Sequence, residues 1–252
     1  MSLKQWITSL ESHPSNTISQ GIHASGFAAY SILANLNACI IEARSAGELD
    51  ASRTDLTHAL TKWHELYWAN KDPANMVSEG FDLSVLWHWC FISLYSDPAH
   101  FEQALGRDGA VATTKARDKL QSCAIDPAQY RRCLFHASML LDKVGSTSLN
   151  ATPAIHVPDA LYCASLVWVC QGLFLRGYTG GNLDWRQEVL NYPEIKGLES
   201  QLVKRAWSSF RERLVEHPSD MVSNFVDLLR KINRWGVSES FANVIAEVAR
   251  GN

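Results

Sequence analysis

The stretch Leu83-Ser-Val-Leu-Trp-His-Trp-Cys-Phe-Ile-Ser-Leu-Tyr-Ser-Asp97 holds a histidine between two tryptophans, two residues before a cysteine. Set on a helix at about 100° per residue, Leu83, Leu86, Trp87, Cys90, Phe91 and Leu94 fill one wide arc. Val85, Trp89, Ile92 and Tyr95 cover much of the rest, and only serines interrupt. A helix that is apolar nearly all round belongs at the centre of a core. His88 falls on the flank, near Ser84 and Tyr95, where a ring nitrogen meets a hydroxyl or a backbone carbonyl. That placement describes a hydrogen-bonded core histidine. The competing reading is a metal-binding or catalytic histidine. Cys90 faces the leucines, where a thiolate is poorly solvated, so its thiol is expected to be inert.

Outward from this segment the punctuation is helical. Asp-Pro-Ala occurs at Asp72, Asp97 and Asp126. Aspartate is a good N-cap, and proline is tolerated at the first helical position because its missing N–H is not needed there. Val157-Pro158-Asp159 and Pro218-Ser219-Asp220 open helices by the same logic. Apolar residues three and four apart predict helices at 22–45, 53–69, 79–96, 98–106, 109–123, 127–144, 158–176, 196–216, 219–234 and 238–250. Alternating strand patterns are scarce. The expected fold is all-α, a multi-helix array around one buried core, with 1–252 as one domain. Gly177–Gly197, with Gly180, Gly181 and Pro193, reads as a surface loop. Its alternative is a hinge to a C-terminal helical cap over 182–252.

Of the 252 residues 46% are hydrophobic and 19% charged, with a net charge of -3 and nine tryptophans. Such a chain supports a large core and is not disordered along most of its length. It carries no overall basic footprint for nucleic acid. Its most basic part, Lys196–Arg234, interleaves Lys204, Arg205, Arg211 and Arg213 with Glu199, Glu212 and Glu216, as a solvated face does. The beginning MSLKQWITSLESHPSN lacks the apolar run of a signal peptide. The run Ala160–Leu175 is shorter than the ~20 residues of a membrane span and contains Ser165 and Gln171, so a core helix is expected, with no membrane contact.

The six cysteines stand at 39, 90, 123, 133, 163 and 170, and none forms a Cys-x-x-Cys pair. Buried free thiols are expected. In Arg131-Arg-Cys-Leu-Phe-His-Ala-Ser-Met-Leu-Leu-Asp142, Cys133, His136, Ala137, Leu140 and Leu141 share a face. Arg131, Ser138 and Asp142 share the other. Cys133, His136, Cys163 and Cys170 form a conceivable zinc set, but structural zinc sites use tighter paired spacing, and core packing is the better reading. The chain has no His-Glu-x-x-His, no Asp-rich metal motif and no Glu-x-x-His pair of a di-iron bundle. Gly177–Gly181 lacks the lysine of a phosphate loop, and no serine has a Gly-x-Ser-x-Gly setting. No catalytic, cofactor-binding or metal-ligating residue is assigned, no cofactor is expected, and the chain reads as a non-enzyme.

The order of several segments resembles the fungal-specific transcription factor domain, the helical regulatory region beside zinc-finger modules in fungal regulators. These segments are Leu86–Tyr95, Phe101–Gly109, Arg131–Ala137, Ile155–Leu161, Ala164–Trp168 and Leu229–Gly236, with Ala59-Leu-Thr-Lys-Trp63 upstream. The similarity spans about residues 22–250 and is nearest to the subgroup paired with two-Cys two-His fingers. The resemblance implies a nuclear protein that controls fungal gene expression. Its expected partners are transcription-regulatory proteins, a DNA-binding partner, or a small effector. The chain carries no zinc finger and no six-cysteine cluster, so no direct DNA binding is expected of it. Two other readings stay open. One is a helical enzyme or accessory protein of secondary metabolism, with a pocket lined by the tryptophans at 87, 89, 168 and 185. The other is a stand-alone adaptor of a DNA-binding regulator.

Overall fold

The computed structural model describes residues 26–68, 82–121, 127–146, 152–175, 185–196, 207–208, 212, 218–232 and 236–250. Among them eleven helices occur and no strand, so the fold is all-α as expected. They are α1 (Gly26–Ser45), α2 (Leu49–Trp68), α3 (Leu83–Tyr95), α4 (Pro98–Ala104), α5 (Ala110–Gln121) and α6 (Pro127–Ser146). The remainder are α7 (Val157–Phe174), α8 (Trp185–Leu190), α9 (Pro193–Lys196), α10 (Pro218–Lys231) and α11 (Val237–Arg250).

Helix α3 is the axis of the array, packed against α1, α2, α6 and α7. Of its residues only Ser84 and Trp89 escape full burial. The reason is the composition read above: with apolar side chains on every face, water is kept off only if neighbours surround the helix. Trp87 is 1% exposed, and its indole N–H donates to the Leu60 carbonyl at 3.0 Å. That bond removes the one polar group an aromatic anchor would otherwise bury unpaired. Helix α3 begins at Leu83, later than expected. Asp82 adopts a left-handed conformation (φ 44°, ψ 48°), which ends a helix on its N-terminal side. Its carboxylate accepts the Ala154 N–H at 2.9 Å, and its carbonyl meets His156 Nε2 at 3.3 Å, tying the start of α3 to the approach to α7. At the other end Asp97 caps α4, accepting the Ala99 N–H at 3.1 Å with Pro98 at the first position. Asp72 and Asp126 lie outside the described residues.

By length and composition, two described helices, Gly26–Ser45 and Val157–Phe174, are long and apolar enough to cross a membrane. In α7, 78% of the apolar window is buried inside the protein, packed by α3, α4, α6, α10 and α11. Its apolar surface is thus accounted for by other helices, as the core-helix reading required. Val222, Phe225, Leu229, Ala242 and Ile245 from α10 and α11 belong to the same buried cluster as Trp63, Trp87 and Trp168. Of the helix expected over 196–216, residues 207–208 and 212 are described, and they are helical.

One expectation is corrected. The stretch read as a loop over 177–197 contains α8 and α9, with Val189, Glu194 and Ile195 buried. Pro193 at the start of α9 supplies the helix-opening geometry there. Ser138, which shares a face of α6 with Arg131 and Asp142, is 0% exposed. On α6, Phe135 forms a separate small cluster with Val189 and Ile195 of α8 and α9.

Candidate functional site

The two histidines singled out in the sequence meet in the core. His88 Nδ1 on α3 lies 2.9 Å from His136 Nδ1 on α6, and both residues are buried. The partner of His88 is thus His136, not the Ser84 or Tyr95 flank or a backbone carbonyl. His136 Nε2 lies 3.3 Å from Glu194 Oε1 on α9. Glu194 also takes two hydrogen bonds from the Arg132 guanidinium, through Nε and Nη2. Arg132 lies over the Tyr95 ring at 4.6 Å and the Tyr192 ring at 4.8 Å. His136 stacks on Phe91 with centroids 4.3 Å apart and an interplanar angle of 7°.

The donor–acceptor inventory fixes the protons. A carboxylate only accepts, so His136 Nε2 carries a hydrogen and donates to Glu194. Neutral His136 then has a bare Nδ1, and His88 must donate to it from its own Nδ1. The result is a one-directional chain, His88 to His136 to Glu194, closed by Arg132. Burial pushes both histidines below their ordinary range: that of His88 well below, with the neighbouring His136 adding to it, and that of His136 against the pull of Glu194. For Glu194, burial opposes ionisation, but hydrogen bonds from His136 and Arg132 outweigh it and keep the carboxyl below its ordinary value.

The sign of the linked pH dependence follows. The unfolded chain takes up protons on these histidines as pH falls through about their ordinary value of 6.5, and the folded chain refuses them. Stability is therefore fully present above that value and falls below it, by up to about 1.4 kcal/mol per pH unit for each histidine. The Glu194 carboxylate adds a second loss as pH falls further. Urea midpoints are expected to drop between pH 7.5 and pH 5.5 and to drop less in His136→Phe, which keeps the stack on Phe91. Equal pH sensitivity of the two proteins would refute this linkage.

The sequence missed Glu194, Arg132 and Tyr192. The legible signal was Pro193-Glu194, a helix start with an acid in its first turn, inside a stretch dominated by glycines. Arg131 reaches Glu188 at 2.7 Å and the Tyr192 hydroxyl donates to the Ala128 carbonyl at 3.2 Å, so the segment 185–196 is bound to α6 at several points.

The conceivable zinc set is not assembled. Among the described residues no group of three or more His, Cys, Asp and Glu could hold a metal ion. Cys133 Sγ points at the Ile92 carbonyl at 4.0 Å, while His136 is engaged by His88 and Glu194. Burial pushes the Cys133 and Cys163 thiols up to about 12, and those of Cys90 and Cys170 higher still. None is a thiolate at neutral pH. Trp87 and Trp168, offered as pocket walls, are 1% and 0% exposed and occupy core volume. The side chain of Trp185 and all of Cys123 lie outside the described residues. Comparison of the chain with protein-family models, curated proteins and solved structures finds no match.

Proposed function

We propose that this chain is a helical regulatory module of the transcription-regulator type, active in the nucleus and working by binding rather than by catalysis. The observation that carries the reading is where the resembling segments sit. Arg132, from Arg131–Ala137, lies over Phe91 and Tyr95, from Leu86–Tyr95. His88 and His136 bond across the same two segments. The hydroxyl of Tyr130, next to Arg131, donates to the Val167 carbonyl within Ala164–Trp168 at 3.1 Å. The order of these segments is therefore an order of core contacts, which supports reading them as parts of one helical scaffold.

The chemistry of the buried groups supports binding over catalysis. A general base must reach a substrate proton directly or through a water. His88 and His136 spend ring nitrogens on each other and on Glu194 behind closed packing, and the described buried cysteines are held as thiols. Deletion of the gene is expected to change transcripts of a small set of genes under conditions where it is expressed, with the tagged protein in the nucleus. An unchanged transcriptome under those conditions would overturn the reading.

A further inference from the structure

The segment 185–196 is attached differently from the long helices of the array. Its apolar anchors, Val189 and Ile195, meet Phe135 in a cluster separate from the main core, and α9 also lies against α2. Its other attachments are polar: Arg131 to Glu188, Arg132 to Glu194, and the Tyr192 hydroxyl to the Ala128 carbonyl. An element with few apolar contacts of its own lies at the low-stability end of a fold. One of the polar links nevertheless runs inward. The Glu194 side chain has no exposed surface, and it is joined through His136 to His88 on the central helix α3.

That chain has no room for a further proton. A single hydrogen lies between the two facing Nδ1 atoms, 2.9 Å apart. A proton added at His136 Nδ1 sets two hydrogens against each other and breaks the contact. A proton added at His88 makes a buried imidazolium. The surroundings oppose either cation: His64 of α2 and Lys143 of α6 act on His88, and Arg132 acts on His136, with Glu194 as the countercharge. Burial pushes the Tyr95 and Tyr192 phenols up, so they add no charge. Lifting α9 replaces these contacts of His136, Glu194 and Arg132 with water. Burial holds His136 below its ordinary value. For Glu194 burial opposes ionisation, but the hydrogen bonds from His136 and Arg132 outweigh it and hold the carboxyl below its own. Both groups therefore bind protons more readily with the segment off α6 than on it. Acid favours release and neutral solution favours docking.

We propose that the segment 185–196 is a proton-operated latch, closed on α6 in neutral solution and released in mildly acidic solution while the other helices stay folded. The trigger is His136, the histidine of the pair that touches the segment itself. Release uncovers Arg132 and Phe135 on α6, so acid turns a closed face of the protein into a basic and apolar one. The latch is read from the buried chain alone and stands whether or not the regulatory reading holds.

The test is a pH titration of the full chain, from about pH 7.5 to about pH 5, with ¹³C-labelled isoleucine δ1 methyls and ¹⁵N-labelled histidine rings. Ile195 reports the segment, Ile92 reports α3 and Ile245 reports α11. The Ile195 methyl is expected to leave its shift beside Phe135 for that of a solvated methyl, while Ile92 and Ile245 keep theirs. The His136 ring is expected to take up its proton with the same midpoint. The ratio of released to docked protein should rise by up to about tenfold per pH unit for this one histidine. Glu194→Gln keeps an oxygen for His136 but removes the countercharge. Its Ile195 transition is expected at higher pH, or the segment is already off at neutral pH with Ile92 and Ile245 native. If that variant does not fold, the parent's titration decides. Protonation of His136 with Ile195 unmoved would overturn the latch, as would release of Ile195 with His136 still neutral. So would simultaneous loss of all three isoleucine signals, no change down to about pH 5, or a Glu194→Gln midpoint at or below the parent's.

Discussion

Trp87→Ala is expected to lower the unfolding free energy by about 3–5 kcal/mol, a large share of what a domain has to spare. The indole is fully enclosed. Its ring centroid lies 4.5 Å from that of His64, 4.9 Å from Phe91 and 5.6 Å from His136. Removing it opens a void among rings that cannot close up, because His136 is fixed on both sides by hydrogen bonds. It also strips the Leu60 carbonyl of its second donor. Trp87→Phe keeps most of the volume and loses the N–H, so about 1–2 kcal/mol is expected. Trp89 stands two residues on and is only half-buried, so Trp89→Ala is expected to cost less than Trp87→Ala. Urea denaturation followed by far-ultraviolet circular dichroism orders the three. A Trp87→Ala protein with the parent's midpoint would refute the central position of α3.

That central position was legible because α3 states it redundantly. Leu83, Leu86, Trp87, Cys90, Phe91 and Leu94 need one buried side, and Val85, Ile92 and Tyr95 need the others. No amphipathic alternative exists for such a segment. The same holds for α7, where Ala160–Leu175 has no polar face to give to water. His88 was legible only in part. Its burial followed from its neighbours, but its partner is 48 residues away, and no local pattern names a residue on another helix. Glu194 and Arg132 were not legible as a buried pair. A lone glutamate after Tyr-Pro and one arginine of a pair look like surface groups, and charged residues are almost never fully buried unless paired. The pairing appears only when α9 is folded back onto α6.

Glu194→Leu is expected to cost about 3–5 kcal/mol, the range for removing one partner of a buried ion pair. The loss has an identifiable source. Glu194 is 1% exposed and Arg132 sits between the rings of Tyr95 and Tyr192, so the guanidinium left behind has few routes to water. Arg132→Met alone is expected to be as damaging, because it leaves the carboxylate with one neutral donor. The double variant Arg132→Met/Glu194→Leu is expected to recover most of the loss, since well-packed apolar replacements of a buried pair are often neutral. It should not recover all of it. His136 Nε2–H still lacks its acceptor, a deficit of about 1–3 kcal/mol, and adding His136→Phe only moves that deficit to the buried His88 Nδ1–H, which loses its acceptor in turn. The same series reads where the energy acts. Segment 185–196 is held to α6 by Arg131–Glu188, Arg132–Glu194 and the Tyr192 hydroxyl on the Ala128 carbonyl. Losing the Glu194 contacts should therefore release α8 and α9 before the rest of the array. Native-state hydrogen exchange is expected to show 185–196 losing protection in Glu194→Leu while α3 and α7 keep theirs. Unchanged protection there, or additive losses in the double variant, would mean that the carboxylate is not what holds the segment down.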